Sequence, residues 1–402
     1  MARVRDRLRG HLRVLVEEVG ARPPGSPANA AACAYVARVL DGCGLDVVAR
    51  PFTTRWWEPG PGRVVTARDA VHVLPDPYSP ACDVRGRVAR VERLTALESL
   101  ESLEALEARE PAGAARERVL VLDGELAAEP VLPEAFPFLD VPEHARLRAA
   151  LRRLRPAAVL AVTDHEGPIL EDPDLGLPST TLLRSAAPAL PDGARVRVTL
   201  GGAVHEGSGT TISARHGPSR DRVVLTAHVD SKATTPGAVD NAAGVAVLLA
   251  LAQDGVQALG GVELALLNGE DHVDACGQVA WLEATDLDEV AACLNVDGVG
   301  LGGGGTSLAT LACLPEVERA ADAWVASRPG WVRAEPWLAG DHALFAARGI
   351  PALAVTSEDA HRRLAGVAHT PRDTLDLLDL PVLEDVVAAV PALIGLLRAG
   401  PR

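Results

Sequence analysis

Seven residues able to bind a metal or move a proton recur at the same kind of place, where an apolar run ends or begins. His228 and Asp230 follow VVLTA, Glu270 and Asp271 follow VELALLN, and Asp297 follows AACLNV. Asp240 opens the apolar stretch NAAGVAVLLALAQ, and His369 stands in a loop just before Thr370-Pro371. Burying one unpaired carboxylate is costly, and several together need cations to offset them. Imidazole nitrogen and carboxylate oxygen are the usual non-thiolate ligands of zinc, so a pair of zinc ions answers that need. Any one of these residues alone could be a helix cap or a surface charge. It is the ordered set that points to metal-assisted chemistry.

Positioning such a set requires strands that end side by side, because reactive groups in open α/β sheets gather at the carboxyl ends of strands. After Gly201 the pattern is regular. The runs VVLTAHVD, VELALLN, AACLNVD and PALAVTS read as strands; NAAGVAVLLALAQ, ACGQVAWLEA, PEVERAADAWVAS and a segment from Leu380 read as helices. This alternation predicts an α/β, three-layer sandwich with a mostly parallel mixed central sheet. Asp230, two residues along the strand from His228, faces the same side and can orient that imidazole. Upstream, residues 3–20 and 27–42 read as amphipathic helices split by ARPPGSP, with Ser26-Pro27 opening the second and Gly42 and Gly44 closing it. LDVVARPF reads as a strand.

Between about 66 and 204 the character changes. RVLVLD, AAVLAVTD, PSTTLLR and ARVRVTL, with a helix from about Glu143 to Leu154, predict a small inserted α/β domain inside a discontinuous catalytic domain of residues 1–65 and 205–402. Within the insert, LTALESLESLEALEARE spaces Leu97, Leu100, Leu103 and Leu106 by three. That period drifts around an α-helix and predicts an exposed, acidic, marginal helix.

Composition narrows the classes. The chain has 402 residues, which suggests two domains, and is 48% hydrophobic and 23% charged, which excludes wholesale disorder. A net charge of -15 repels phosphate backbones, so nucleic acid is not an expected partner. Of 39 basic residues only Lys232 is a lysine, so no phosphate loop ending in Gly-Lys-Ser/Thr can form. There is no G-x-S-x-G, H-E-x-x-H or C-x-x-C. The six scattered cysteines read as reduced, buried thiols. The arginine-rich start is unlike a signal peptide, and the apolar run Val386 to Leu397, broken by Pro391, is too short to span a bilayer. A soluble, cytoplasmic protein with no membrane partner is therefore expected; no feature specifies an oligomeric state. Gly298, Gly300 and Gly303 satisfy G-x-G-x-x-G, but GGTSLATLA after them does not start a helix, so a dinucleotide site is not expected.

The segments HVDSKATTPGAVDNAAGVAVLLALA, LALLNGEDH, LNVDGVG, GDHALFAARGIPALAVT and AHTPRDTLD resemble, in order, the signature blocks of the co-catalytic zinc aminopeptidases, metallopeptidase family twenty-eight. ARPPGSPANAAACAYVARVLDGCGLDV is similar to that family's N-terminal helix. The resemblance covers roughly 1–65 and 205–402; the middle region resembles the protease-associated insert of some members only weakly. It implies two zinc ions per chain, with His228 and Asp297 on the first, Asp271 and His369 on the second, and Asp240 bridging. It implies Glu270 as the general base for a metal-bridging water, and a cis peptide after Asp240.

Three departures from the family stand out. Asp271 replaces the second Glu of a Glu-Glu pair and is one methylene shorter. Ala368 stands where a tyrosine commonly helps hold the oxyanion; Tyr35 and Tyr78 lie elsewhere, leaving His342 and His361 as candidates. The residues after Asp271 match the usual Gly-Leu-x-Gly-Ser only loosely. The implied activity is removal of an N-terminal residue from peptides. A single-zinc acyl transferase of the glutaminyl-cyclase type is the alternative, and a carboxypeptidase is a further one. A non-catalytic module like the transferrin receptor ectodomain fits least, because every ligand position carries a ligating residue.

Overall fold

The computed structural model describes residues 2–107, 118–164 and 167–399. They form two compact units, Met1–Thr54 with Gly207–Arg402, and Arg55–Glu206. The limits differ from the expected 66 and 204 because the chain changes unit inside two long strands, Asp46–Val65 and Arg195–His216.

In the first unit four parallel strands lie in the order Ala352–Ser357, Val290–Val296, Arg222–His228, Val262–Leu267. Thr306–Leu311 adds antiparallel beside Ala352–Ser357, with the short Trp331–Arg333 outside it; the end of Arg195–His216 adds antiparallel beside Val262–Leu267. Apart from the exposed Ala291, the four parallel strands are buried throughout, and their residues alternate between two cores. Leu225, Leu264, Leu294 and Val355 pack with the helices Ala2–Leu12, Pro27–Gly42, Ala243–Gly255 and Leu380–Arg398. Val224, Ala265, Cys293 and Ala354 face the other way, toward Trp281 of Cys276–Glu283 and Phe345 of His342–Ala346. The result is a three-layer sandwich.

The helix Pro27–Gly42 opens as its sequence suggests, the Ser26 side chain accepting the Asn29 N–H at 3.1 Å. Leu380–Arg398 continues through Pro391, which was expected to break it; the ring sits on the exposed face, where solvent can take the carbonyl it leaves free. This helix and Ala238–Leu259 are long and apolar enough to cross a membrane by length and composition. Both contribute their apolar side chains to the same core. The glycines 298, 300 and 303 lead into the strand Thr306–Leu311 rather than a helix, which removes the dinucleotide site; Gly300, at φ 85°, leaves no room for a Cβ against Leu383.

The second unit is a smaller sheet. Arg118–Leu122, Ala158–Thr163 and Ser179–Leu183 run parallel, Cys82–Val91 joins beside the first of them, and Arg195–Leu200 closes it antiparallel. Helices Leu94–Glu107 and Pro142–Leu154 cover one face. The first helix was expected to be exposed. Instead Leu94 and Leu97 are buried in that core, and Glu98 pairs with Arg146 of the second helix at 2.8 Å. Residues 108–110 of the repeat lie outside the described residues.

Candidate metal centre

Three adjacent strands deliver their ends to one place. His228 is the last residue of Arg222–His228, Asp297 follows Val290–Val296 directly, and Glu270 and Asp271 lie just past Val262–Leu267. The chain runs from the central strand to Val262–Leu267 through Ala243–Gly255, and from there across the central strand to Val290–Val296 through Cys276–Glu283, the two helices lying on opposite faces. This crossing opens the crevice in which α/β sheets bind ligands.

Asp240 enters from the segment before Ala243–Gly255, where Asp240 and Asn241 have non-helical angles and the peptide between them is cis. Asn241 fixes the segment by donating to the Val296 carbonyl at 3.0 Å and accepting the Gly244 N–H at 2.9 Å. The two Asp240 oxygens diverge. Oδ1 lies 3.0 Å from His228 Nε2, and Oδ2 lies 3.2 Å from His369 Nε2. His228 Nε2 is also 3.5 Å from Asp297 Oδ1, and His369 Nε2 is 2.8 Å from Asp271 Oδ1. Two donor sets result, His228–Asp240–Asp297 and Asp240–Asp271–His369, sharing one carboxylate. Glu270 Oε2 is 3.9 Å from His228 Nε2 and belongs to neither set. His369, in left-handed conformation at φ 62°, is the exposed member, with 47% of its side chain accessible.

The electrostatics match a cation site. Burial disfavours a charged His228, but Asp297, Asp230 and Asp240 outweigh it and raise its pKa well above the ordinary value. Asp271 and Asp240 do the same for His369 against burial. Asp240 is held low despite burial by its two histidines. Glu270 is pushed well above the carboxylate range by burial and by Asp271, Asp297 and Asp341. Asp271 Oδ2 is buried with no hydrogen bond among the described residues. Such an orphan oxygen, in a cluster of four carboxylates whose charge two divalent cations would balance, fits a pair of zinc ions.

Asp230 does more than orient an imidazole. The His228 Nδ1 lies 3.2 Å from the Asp230 carbonyl and 3.7 Å from its carboxylate. The carboxylate accepts the N–H groups of Gly269 at 2.6 Å, Glu270 at 3.4 Å and Asp271 at 3.1 Å. Burial would raise its pKa, but His228 and these donors hold it below the ordinary value.

Sequence reasoning missed several buried partners. Asp373, fully buried, accepts the N–H groups of Val239 at 2.7 Å and Asp240 at 3.1 Å; burial raises its pKa to about 6. Arg22 sits fully buried in the turn read only as a breaker, donating to the carbonyls of Val229, Pro236 and Gly237 at 2.6, 2.6 and 2.9 Å. Gly237, at φ 63°, could not carry a Cβ there, since it would meet Asp240 O at 2.5 Å. Asp341 is buried beside Gln278 at 2.5 Å with its pKa pushed up to about 7 by burial, and it lies in the quoted segment GDHALFAARGIPALAVT. Asp373 and Arg22 likewise lie in quoted segments, AHTPRDTLD and ARPPGSPANAAACAYVARVLDGCGLDV, but neither residue was singled out there. Of the oxyanion candidates, His342 is buried with both ring nitrogens engaged, by Asn295 Nδ2 at 3.1 Å and the Trp337 carbonyl at 2.9 Å. His361 is exposed on the four-residue helix Ala360–Arg363, its ring edge-on to Trp337.

Residues 210–394 match the sequence profile described as Peptidase family M28. No curated protein shows a significant match to the sequence. Among solved structures, the chain is similar to an aminopeptidase from Aneurinibacillus sp. strain AM-1, with 18% identity and a TM-score of 0.73, covering 97% of this chain and 93% of that one. BSAP, a zinc aminopeptidase from Bacillus subtilis, matches with 16% identity and a TM-score of 0.71 over 97% and 94%. A glutaminyl cyclase from Porphyromonas gingivalis matches with 15% identity and a TM-score of 0.51 over 97% of each chain. At these identities the likeness establishes the fold.

Proposed function

Because residues 210–394 match the profile of peptidase family M28, we propose that the chain is a peptide hydrolase of that family, a zinc-dependent exopeptidase of the aminopeptidase kind, acting on the N-terminal bond of peptides in the cytoplasm. The observation that carries this reading is the sharing of Asp240 between two complete donor sets. His228 and Asp297 would hold one zinc, Asp271 and His369 the other, with Asp240 common to both. Two zinc ions so placed would polarise the scissile carbonyl and make an attacking water acidic enough to react near neutral pH.

The side chains of this protein supply the rest. Glu270, beside both sets but in neither, takes the proton from the attacking water and returns it to the leaving amine. Asp230 fixes the Glu270–Asp271 backbone, and Asp373 fixes that of Asp240. Peptides are the proposed partners; the net charge of -15 argues against nucleic acid.

The likeness in fold to a glutaminyl cyclase keeps a single-zinc acyl transferase as the second reading. A panel of aminoacyl, N-blocked and N-terminal glutaminyl substrates, with chelator and with added zinc, separates them. The expected result is amine release from substrates with a free N-terminus, abolished by chelator and restored by zinc at about two per chain. Equal cleavage of N-blocked substrates, or ammonia release from glutaminyl peptides with one zinc per chain, would overturn the proposal.

A further inference from the structure

The loop after Asp271 runs His272-Val273-Asp274-Ala275-Cys276 and departs from the Gly-Leu-x-Gly-Ser expected there. Ala275 is left-handed at φ 49°, which turns Cys276 back toward His272 and Asp274. One donor atom from each of the three lies within 4.8 Å of the others. The imidazole is buried, with 4% of its side chain exposed, whereas Asp274 is 34% exposed, so the cluster opens to solvent on the carboxylate side. His272 Nδ1 is 2.8 Å from Asp274 Oδ1, and His272 Nε2 is 3.3 Å from Thr54 Oγ1. The same Thr54 hydroxyl hydrogen-bonds the Cys276 thiol.

We propose that His272, Asp274 and Cys276 form a third metal site, distinct from the two donor sets around Asp240, for one thiophilic divalent cation of the zinc class. Tetrahedral zinc with bonds of 2.0–2.3 Å sets its ligand atoms about 3.3–3.6 Å apart, so the cluster needs shifts of about 1 Å or less to close. Thiolate with imidazole and carboxylate selects zinc-like ions over magnesium or calcium, which prefer all-oxygen cages. With Nδ1 as the ligand, the Nε2–H can donate to Thr54 Oγ1, which fixes the tautomer and ring angle as outer partners of metal-bound histidines do. The fourth position faces solvent beside Asp274. Binding is balanced as follows: the thiol proton leaves to solvent, His272 stays neutral as its proton moves from Nδ1 to Nε2, and the sulfur forms the bond to the cation.

Neither donor set around Asp240 contains sulfur, and among the described residues no other cysteine falls in a metal-capable group. A thiolate-to-cobalt charge-transfer band therefore reads this site alone. The full chain, stripped and reconstituted with cobalt(II), should show that band in the near ultraviolet and about three cobalt ions per chain. Cys276→Ser should abolish the band and lose one cobalt while keeping the ligand-field bands of the other two, which also reports that the variant is folded. Asp274→Asn, which leaves the thiol in place, should weaken cobalt retention at this site by about 10–100-fold. Absence of the band in the parent protein, or its persistence in Cys276→Ser, would overturn the proposal. A band that stays while the Asp240 sets fail to fill would instead defeat the peptidase reading and leave this one standing.

Discussion

Asp271 is the proposed ligand that is one methylene shorter than the glutamate the family resemblance implies, and its surroundings bear on how that difference could be met. Its Oδ1 already lies 2.8 Å from His369 Nε2, while Asp240 Oδ2 is 3.2 Å from the same nitrogen. Its own N–H is tied to Asp230 Oδ2 at 3.1 Å, and that of Gly269 to Asp230 Oδ1 at 2.6 Å. We take these bonds to hold the backbone close enough to compensate for the shorter side chain, so Asp271→Glu adds length to a residue that is only 7% exposed. Overpacking of this kind costs about 1–3 kcal/mol. If that cost falls on the cation, the second site binds about 5- to 150-fold more weakly. The assay is a stepwise titration of the zinc-loaded protein with a competing chelator, counting zinc per chain and hydrolysis rate at each step. In the variant the first step should move to lower chelator concentration and carry the activity with it, the second staying where it was. Tighter binding in Asp271→Glu would refute the compensated backbone. Unchanged zinc and unchanged rate in both Asp271→Glu and Asp271→Ala would show that the residue is no ligand.

Glu270→Gln should keep both metals and lose about 10²–10⁴ in kcat, because only the proton carrier is removed; parallel loss of zinc would make it a ligand instead. Asp240→Asn should deplete zinc more than Asp297→Asn or Asp271→Asn, since its two oxygens face two histidines; metal analysis ranking it below either would defeat the shared-ligand geometry. Arg22→Ala takes the donor from four buried or part-buried carbonyls and should lower folding stability by about 3–5 kcal/mol, read by denaturant unfolding. A loss under about 1 kcal/mol would mean that water replaces the guanidinium. Asp76, in the second unit, has its pKa raised to about 7 by burial. Its folded pKa exceeds the unfolded value near 3.9, so its contribution to stability falls as pH rises from about 4 to about 7. Asp76→Asn should flatten that part of the stability curve, and an identical slope in parent and variant would count against it.

The four parallel strands were legible because each is a mostly apolar run buried on both faces, and their ends then named His228, Glu270, Asp271 and Asp297. Thr306–Leu311 was not read as a strand, lying as it does behind a glycine run, nor was Trp331–Arg333, only three residues long. For the helix Leu94–Glu107, the three-residue leucine period, which drifts around an α-helix, together with its acidity pointed to solvent. Its three-residue leucine spacing nevertheless turns Leu94 and Leu97 onto the second unit's core over the first two turns. Arg22 stayed hidden for a different reason. Its partners are backbone carbonyls more than 200 residues away, and a carbonyl has no sequence identity to match.

That same feature explains how ligands carried on loops can be placed accurately. Asp271 and Glu270 lie beyond their strand and Asp240 before its helix, where backbone would ordinarily be free to move. Three buried charges that belong to neither donor set restrain it. Asp230 gathers three N–H groups of residues 269–271, Asp373 gathers those of Val239 and Asp240, and Arg22 gathers carbonyls on both sides of the intervening loop. Arg22 also lies in the field of Asp230 and Asp373, so the cation and two anions offset one another while each saturates backbone dipoles. Hydrogen bonds between a charged side chain and the main chain are shorter and stronger than neutral ones. They fix the loop whatever side chains it carries, which would let an aspartate stand where the family resemblance implies a glutamate without the second donor set coming apart.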